Sequence, residues 1–121
     1  MKKYNVLLVD DSRVVHVEMI KMLADSEFQI HTYCRSGEDA LDAYADAAPD
    51  LVLMDIVMAG MCGLEAGRKI LCQWPDARIL VVSALVYDDV IEEINEFGDK
   101  GLVAEPFNRD NLLEAMRKAV A

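Results

Sequence analysis

Two hydrophobic patterns alternate along this chain. The first is the short, unbroken apolar run: Val6-Leu7-Leu8-Val9, Leu51-Val52-Leu53-Met54 and Ile79-Leu80-Val81-Val82. Runs of this length, bounded by polar and turn-forming residues, predict strands buried on both faces. The second is a helical spacing of apolar residues between those runs. Val15, Met19, Met22 and Leu23 predict a helix over 12–24, with Ser12 or Asp11 capping its free N–H groups. Residues 28–33 alternate weakly and predict a second strand. Ser36 followed by Asp39 is similar to a capping box and opens a helix through Ala40, Leu41 and Tyr44, with Pro49 closing the next turn. Leu64, Lys69, Ile70 and Leu71 predict a helix ending near Trp74-Pro75, and the fourth strand spans 78–83. Val86, Val90, Ile91, Ile94 and Phe97 predict a fourth helix ended by Gly98. Leu102-Val103 is a short fifth strand. Asn108 caps a last helix carrying Leu112, Leu113, Met116 and Val120.

Strand and helix therefore alternate five times, with no repeat and no linker. The fold class expected is α/β: a flavodoxin-like, doubly wound (βα)5 three-layer sandwich around a five-stranded parallel sheet, strand order 2-1-3-4-5, in one domain spanning 1–121. Ligands of such sheets bind beyond the carboxyl ends of the strands, where the strand order reverses. In this order the reversal lies between the first and third strands.

Those two strands end on acids. Val9 runs into Asp10 and Asp11, and Met54 runs into Asp55, followed by the glycine-containing stretch Ile56-Val57-Met58-Ala59-Gly60-Met61-Cys62-Gly63. Three carboxylates in one crevice repel one another, and a small hard cation relieves the repulsion. Mg²⁺ suits such a site, because it takes oxygen ligands and keeps several waters. A carboxylate beside bound metal can also attack phosphorus and form an acyl phosphate. Asp55 is placed for that role. Ser83 ends the fourth strand on the same edge, where its hydroxyl and the Ala84 backbone N–H can both donate to a phosphoryl oxygen.

Composition narrows the partners. The 121 residues are 54% hydrophobic, enough to build a core, and the net charge of −10 opposes direct binding to nucleic acid. No apolar run is long enough to span a bilayer and no signal peptide is evident, so a cytoplasmic protein without membrane contact is expected. Cys34, Cys62 and Cys72 are too few and too scattered for a zinc site or a disulfide frame. They are expected as reduced, partly buried thiols.

Taken as an ordered set, Val6-Leu7-Leu8-Val9-Asp10-Asp11-Ser12, Asp50-Leu51-Val52-Leu53-Met54-Asp55, Val82-Ser83-Ala84 and Pro106-Phe107 resemble the receiver (CheY-like) domain of two-component response regulators. The resemblance covers essentially the whole chain. It implies phosphoryl transfer to Asp55 from a histidine kinase or phosphotransfer protein, and a signalling role rather than metabolic catalysis. It implies Mg²⁺ held by Asp11, Asp55 and the Val57 backbone carbonyl, with Asp10 acting through water. It also implies a switch in which Ser83 turns toward the phosphoryl group. The face of the fourth helix, fifth strand and fifth helix would then change toward an output domain or target protein.

The chain departs from the family pattern at two switch positions. Glu105 stands where the family has Lys before Pro-Phe, and Leu102 stands where an aromatic residue is common. A unit charge pair at 4 Å near a surface interacts by about 4 kcal/mol, so exchanging attraction for repulsion disfavours the phosphorylated form by at most roughly twice that. Ala59 replaces a common Pro. The Glu105-Pro106 bond is expected to be cis by resemblance. Val57 and Leu85, apolar at positions that govern water access in the family, imply slow self-hydrolysis of an Asp55 acyl phosphate.

The alternative reading is a pseudo-receiver: a phosphorylation-independent interaction module, favoured by Glu105 and Leu102. An aspartate-nucleophile phosphohydrolase would need a second acid after Asp55, and Ile56-Val57 supplies none. A flavin-binding relative would need a phosphate loop where Asp10-Asp11 stand. His16 and His31 are expected outside the acidic cluster. Most methionines are expected in the core, with Met58 and Met61 near the crevice. Glu92, Glu93 and Glu96 are read as a solvated helix face.

Overall fold

A computed structural model describes residues 3–56, 58, 60–83, 92, 102–105 and 107–121. The described elements are β1 (Tyr4–Val9), α1 (Arg13–Leu23), β2 (Phe28–Cys34), α2 (Gly37–Ala47), β3 (Leu51–Met54), α3 (Gly63–Gln73), β4 (Ile79–Ser83), β5 (Leu102–Ala104) and a C-terminal helix (Arg109–Val120). All strand pairings are parallel, and the order is β2-β1-β3-β4-β5, as the alternation predicts. The predicted fourth helix and Gly98 lie outside the described residues, apart from Glu92, which is helical and exposed.

The continuous apolar runs separate into two layers by their period of two. Val6, Leu8, Leu51, Leu53, Leu80 and Val82 face one side, packed with Met19 and Leu23 of α1 and Leu112, Leu113 and Met116 of the C-terminal helix. Leu7, Val9, Val52, Met54 and Ile79 face the other, against Ala40 and Tyr44 of α2 and Ala66 and Ile70 of α3. Burying each such side chain stabilises the fold by about 1.5–3 kcal/mol. The unbroken runs thus hold a sheet between two helical layers.

Caps form where the sequence places them. Ser12 accepts from the Val15 N–H at 3.4 Å, Ser36 from the Asp39 N–H at 3.1 Å and Asn108 from the Asn111 N–H at 2.8 Å. β2 extends one residue beyond its predicted end. Its register with β1 shifts between Val6 and Leu7, passing over His31, which is exposed and bonds the Thr32 hydroxyl. One expectation needs correction. Only Cys34 is buried, whereas Cys62 and Cys72 are exposed, because the latter two sit at the start and outer face of α3. Met58, expected near the crevice, is buried in the α2/α3 layer with Met54 and Val9.

Candidate functional site

β1 and β3 are adjacent and in register, Val9 beside Met54, so the residues that follow them emerge together. The Asp55 N–H donates to the Val9 carbonyl at 3.0 Å, extending the ladder one step, while the Asp10 N–H donates to the Cys34 carbonyl of β2 at 3.0 Å. These bonds fix both strand ends. Carboxylate oxygens of Asp10, Asp11 and Asp55 come within 4.8 Å of one another. The sequence expectation of a three-acid cluster at the switch point is met.

The three acids occupy different environments. Asp10 is buried, Asp55 half-buried and Asp11 exposed. Burial pushes the Asp10 carboxyl above its usual range. The Ser12 N–H, donating to its Oδ1 at 2.8 Å, opposes that shift, and the charges of Asp11 and Glu105 reinforce it. The donor set is all oxygen, anionic and compact, with one acid open to solvent. It fits a hard divalent cation that retains water.

The neighbouring loop is anchored from α2. Glu38 Oε1 accepts the Met61 N–H at 2.8 Å. Gly60 lies between the acid and that anchor with φ +81°, a left-handed conformation that favours glycine. Gly63 opens α3 against Asp55: its N–H donates to the Ile56 carbonyl at 2.8 Å, and a Cβ there would overlap the Asp55 carbonyl. Gly37 meets Ala66 so closely that a Cβ would stand 2.9 Å from the alanine methyl, which brings α2 within reach of the loop. Glu38 was not legible as a site residue, since its partner is distant in sequence and its own position reads as an ordinary helix first turn.

On the other flank, Ser83 ends β4, 1% exposed. β5 pairs with β4 so that Ala104 lies beside Ser83, and the Glu105 N–H donates to the Ser83 carbonyl at 2.9 Å. Glu105 therefore follows the sheet edge shared with the acids, and its charge acts on Asp10. Leu102 is half-buried against Ile56, Leu64 and Val81, a small aliphatic cluster beneath the loop. Val57, Ala59, Ala84, Leu85 and Pro106, singled out in the sequence, lie outside the described residues, as does the geometry of the Glu105-Pro106 bond.

His16 lies on α1, stacked on the Tyr33 ring with centroids 3.9 Å apart. It is not among the clustered metal-ligating groups, and neither is His31. Burial pushes the Tyr33 hydroxyl up, with Asp10 and Asp11 adding to the shift against Arg35 and Arg13.

This is an α/β protein with an acidic site at the switch point of a parallel sheet. Residues 6–117 match the response regulator receiver domain, and the chain belongs to that family. It is 32% identical to the chemotaxis protein CheY of Listeria monocytogenes over 113 residues, 93% of this chain and 95% of that one. It is 35% identical over 117 residues to the response regulator GacA of Pseudomonas aeruginosa, covering 96% of this chain and 55% of GacA. Among solved structures, CheY of Borrelia burgdorferi, in complex with CheX, BeF3 and magnesium, superposes with a TM-score of 0.93 at 25% identity, covering 99% of this chain and 91% of that chain. Receiver domains are signalling domains that bind Mg²⁺ at an acidic cluster and interact with histidine kinases and output or target proteins. Among the described residues, no helix is long and apolar enough to cross a membrane.

Proposed function

We propose that the chain is a single receiver domain, 1–121, that accepts a phosphoryl group on Asp55 from a phosphohistidine donor and passes the change to a partner or output domain. The observation that carries this reading is the cluster of Asp10, Asp11 and Asp55 within 4.8 Å at the β1/β3 switch point. Asp55 is the phosphoacceptor. Its carboxylate oxygen attacks phosphorus, the P–O bond forms as the P–N bond to the donor imidazole breaks, and the imidazole leaves with the electron pair. Asp11, Asp55 and the Val57 carbonyl are the residues to hold Mg²⁺, with Asp10 behind them. The metal supplies charge neutralisation on the phosphoryl oxygens. Ser83 and the Ala84 N–H are the donors to the transferred group. The output surface is the face of the fourth helix, fifth strand and fifth helix. A cytoplasmic location agrees with this role.

Incubation with Mg²⁺ and phosphoramidate, a small P–N donor, followed by peptide mapping, tests the assignment. The label is expected on the peptide containing Asp55 and is expected to be lost when EDTA replaces Mg²⁺. Label on His16, His31 or Ser83 instead would overturn it.

A second reading, the phosphorylation-independent interaction module, is favoured by one observation: Glu105, an acid, is held beside Ser83 at the carboxyl edge of the sheet. That module would keep the fold and bind its partner equally well with Asp55 or Asn at position 55.

A further inference from the structure

Glu105 is held at the site by its backbone. Its N–H donates to the Ser83 carbonyl at 2.9 Å, one step beyond the Ser83–Ala104 pair of the β4/β5 ladder. Its side chain is solvent-exposed, and its charge reaches buried Asp10. The carboxyl edge of the sheet thus carries three clustered carboxylates at the ends of β1 and β3 and a fourth acid at the end of β5.

We propose that Glu105 is a positioning residue for the divalent cation: its charge tightens metal binding to the unphosphorylated site without ligating the ion. This rests on reading Asp10, Asp11 and Asp55 as a metal centre. The physical argument is a matter of sign. A rim anion attracts a divalent cation and repels an incoming phosphoryl dianion, so it biases the site toward the metal-bound, unphosphorylated state. A unit charge just outside the ligand sphere of a divalent ion, screened by water, changes its affinity by about fivefold on Coulomb's law. Reversing that charge compounds the effect to about twenty-five-fold. Since the charge is exposed, added salt shrinks the difference.

Calorimetric titration of MgCl2 into the full chain tests this, with native protein, Glu105→Gln, Glu105→Lys, Asp11→Asn and Glu114→Gln compared at low salt. Glu114 is exposed on the C-terminal helix beside Lys118 and serves as a remote control for net charge. The dissociation constant is expected to rise about fivefold in Glu105→Gln and about twenty-five-fold in Glu105→Lys. Glu114→Gln is expected to stay within about twofold of native, consistent with screening of distant surface charges. Far-UV circular dichroism and the chelator-sensitive shift in Tm give a second readout on the same samples. Equal affinity in native and Glu105→Gln, or an equal loss in Glu114→Gln, overturns the inference while leaving the metal site intact, provided Asp11→Asn still abolishes binding. Absence of Mg²⁺ binding to the native chain overturns the metal-site reading and this inference with it.

Discussion

The backbone N–H of Glu105 donates to the carbonyl of Ser83 at 2.9 Å, so this acid is tied directly to the residue proposed to contact the phosphoryl group. Glu105 cannot drift away from the site at its backbone, although its side chain is free to sample solvent. The expected consequence is partial repulsion of a phosphorylated Asp55. Glu105→Lys should raise the steady-state phosphorylated fraction and lengthen the lifetime of the acyl phosphate by about tenfold, well below the unscreened limit because the side chain is exposed. Acid-quenched time points on a phosphate-affinity gel measure both, and identical decay in the two proteins would contradict the repulsion.

Asp10 is the acid whose burial conflicts most with its charge. It is 6% exposed, and among the described residues the Ser12 N–H is what offsets the loss of water and the charges of Asp11 and Glu105. Asp10→Asn keeps the acceptor for Ser12 and removes the charge. In EDTA this variant should be more stable than native by about 1 kcal/mol in urea unfolding, the direction set by relieving a buried charge. Stabilisation by Mg²⁺ should shrink or vanish in the same variant. Lower stability in EDTA would show that the Asp10 charge is better solvated than its burial implies.

Gly63 brings the start of α3 against the Asp55 backbone. A methyl at that position would overlap the Asp55 carbonyl, which is backbone and cannot swing aside. Gly63→Ala should cost at least about 2 kcal/mol and weaken Mg²⁺ binding, because the Asp55 peptide must move. Gly60→Ala differs in kind. It places a side chain at φ +81° with the Glu38 carboxylate 3.3 Å away, and should cost about 1 kcal/mol while leaving metal affinity nearer to native. Chemical denaturation with and without Mg²⁺ separates the two, and equal, mild losses would remove the special role of Gly63.

Far from the acidic site, Arg117 on the C-terminal helix donates twice to the Glu27 carboxylate, at 2.8 and 3.0 Å. Those bonds hold the Glu27 carboxyl down at about 2 from its ordinary 4.5. A depressed carboxyl stabilises the fold above its unfolded value, and that contribution is lost as pH falls toward the folded one. The Tm difference between native and Arg117→Met should therefore be present at neutral pH and narrow as pH drops below about 4.5. The pair is solvent-accessible, so the difference will be small. A constant offset across the acid range would assign the effect to packing instead.

The fold was legible because β1, β3 and β4 are short, apolar and buried from both sides along most of their length, and each helix opens on Ser or Asn or carries a clear apolar face. Asp10, Asp11 and Asp55 were legible for the same reason: acids that terminate buried strands have only one edge of the sheet to occupy. Glu38 was not, since its bond to Met61 spans elements that only tertiary packing through Gly37 and Ala66 brings together. The exposure of Cys62 was also hidden, because the irregular stretch after Asp55 has no period from which a facing can be read. Arg109 shows the same limit: its guanidinium bonds the Met22 and Ala24 carbonyls at the end of α1, a latch that no local pattern announces.

The most direct test is the intact mass of the native chain after incubation with Mg²⁺ and a small acyl-phosphate donor, beside Asp55→Asn and Glu105→Lys. The account predicts a gain of one phosphoryl group in the native protein and in Glu105→Lys, and none in Asp55→Asn. A native chain that gains nothing, while Glu105→Lys does, would contradict it and leave an interaction module silenced at one residue.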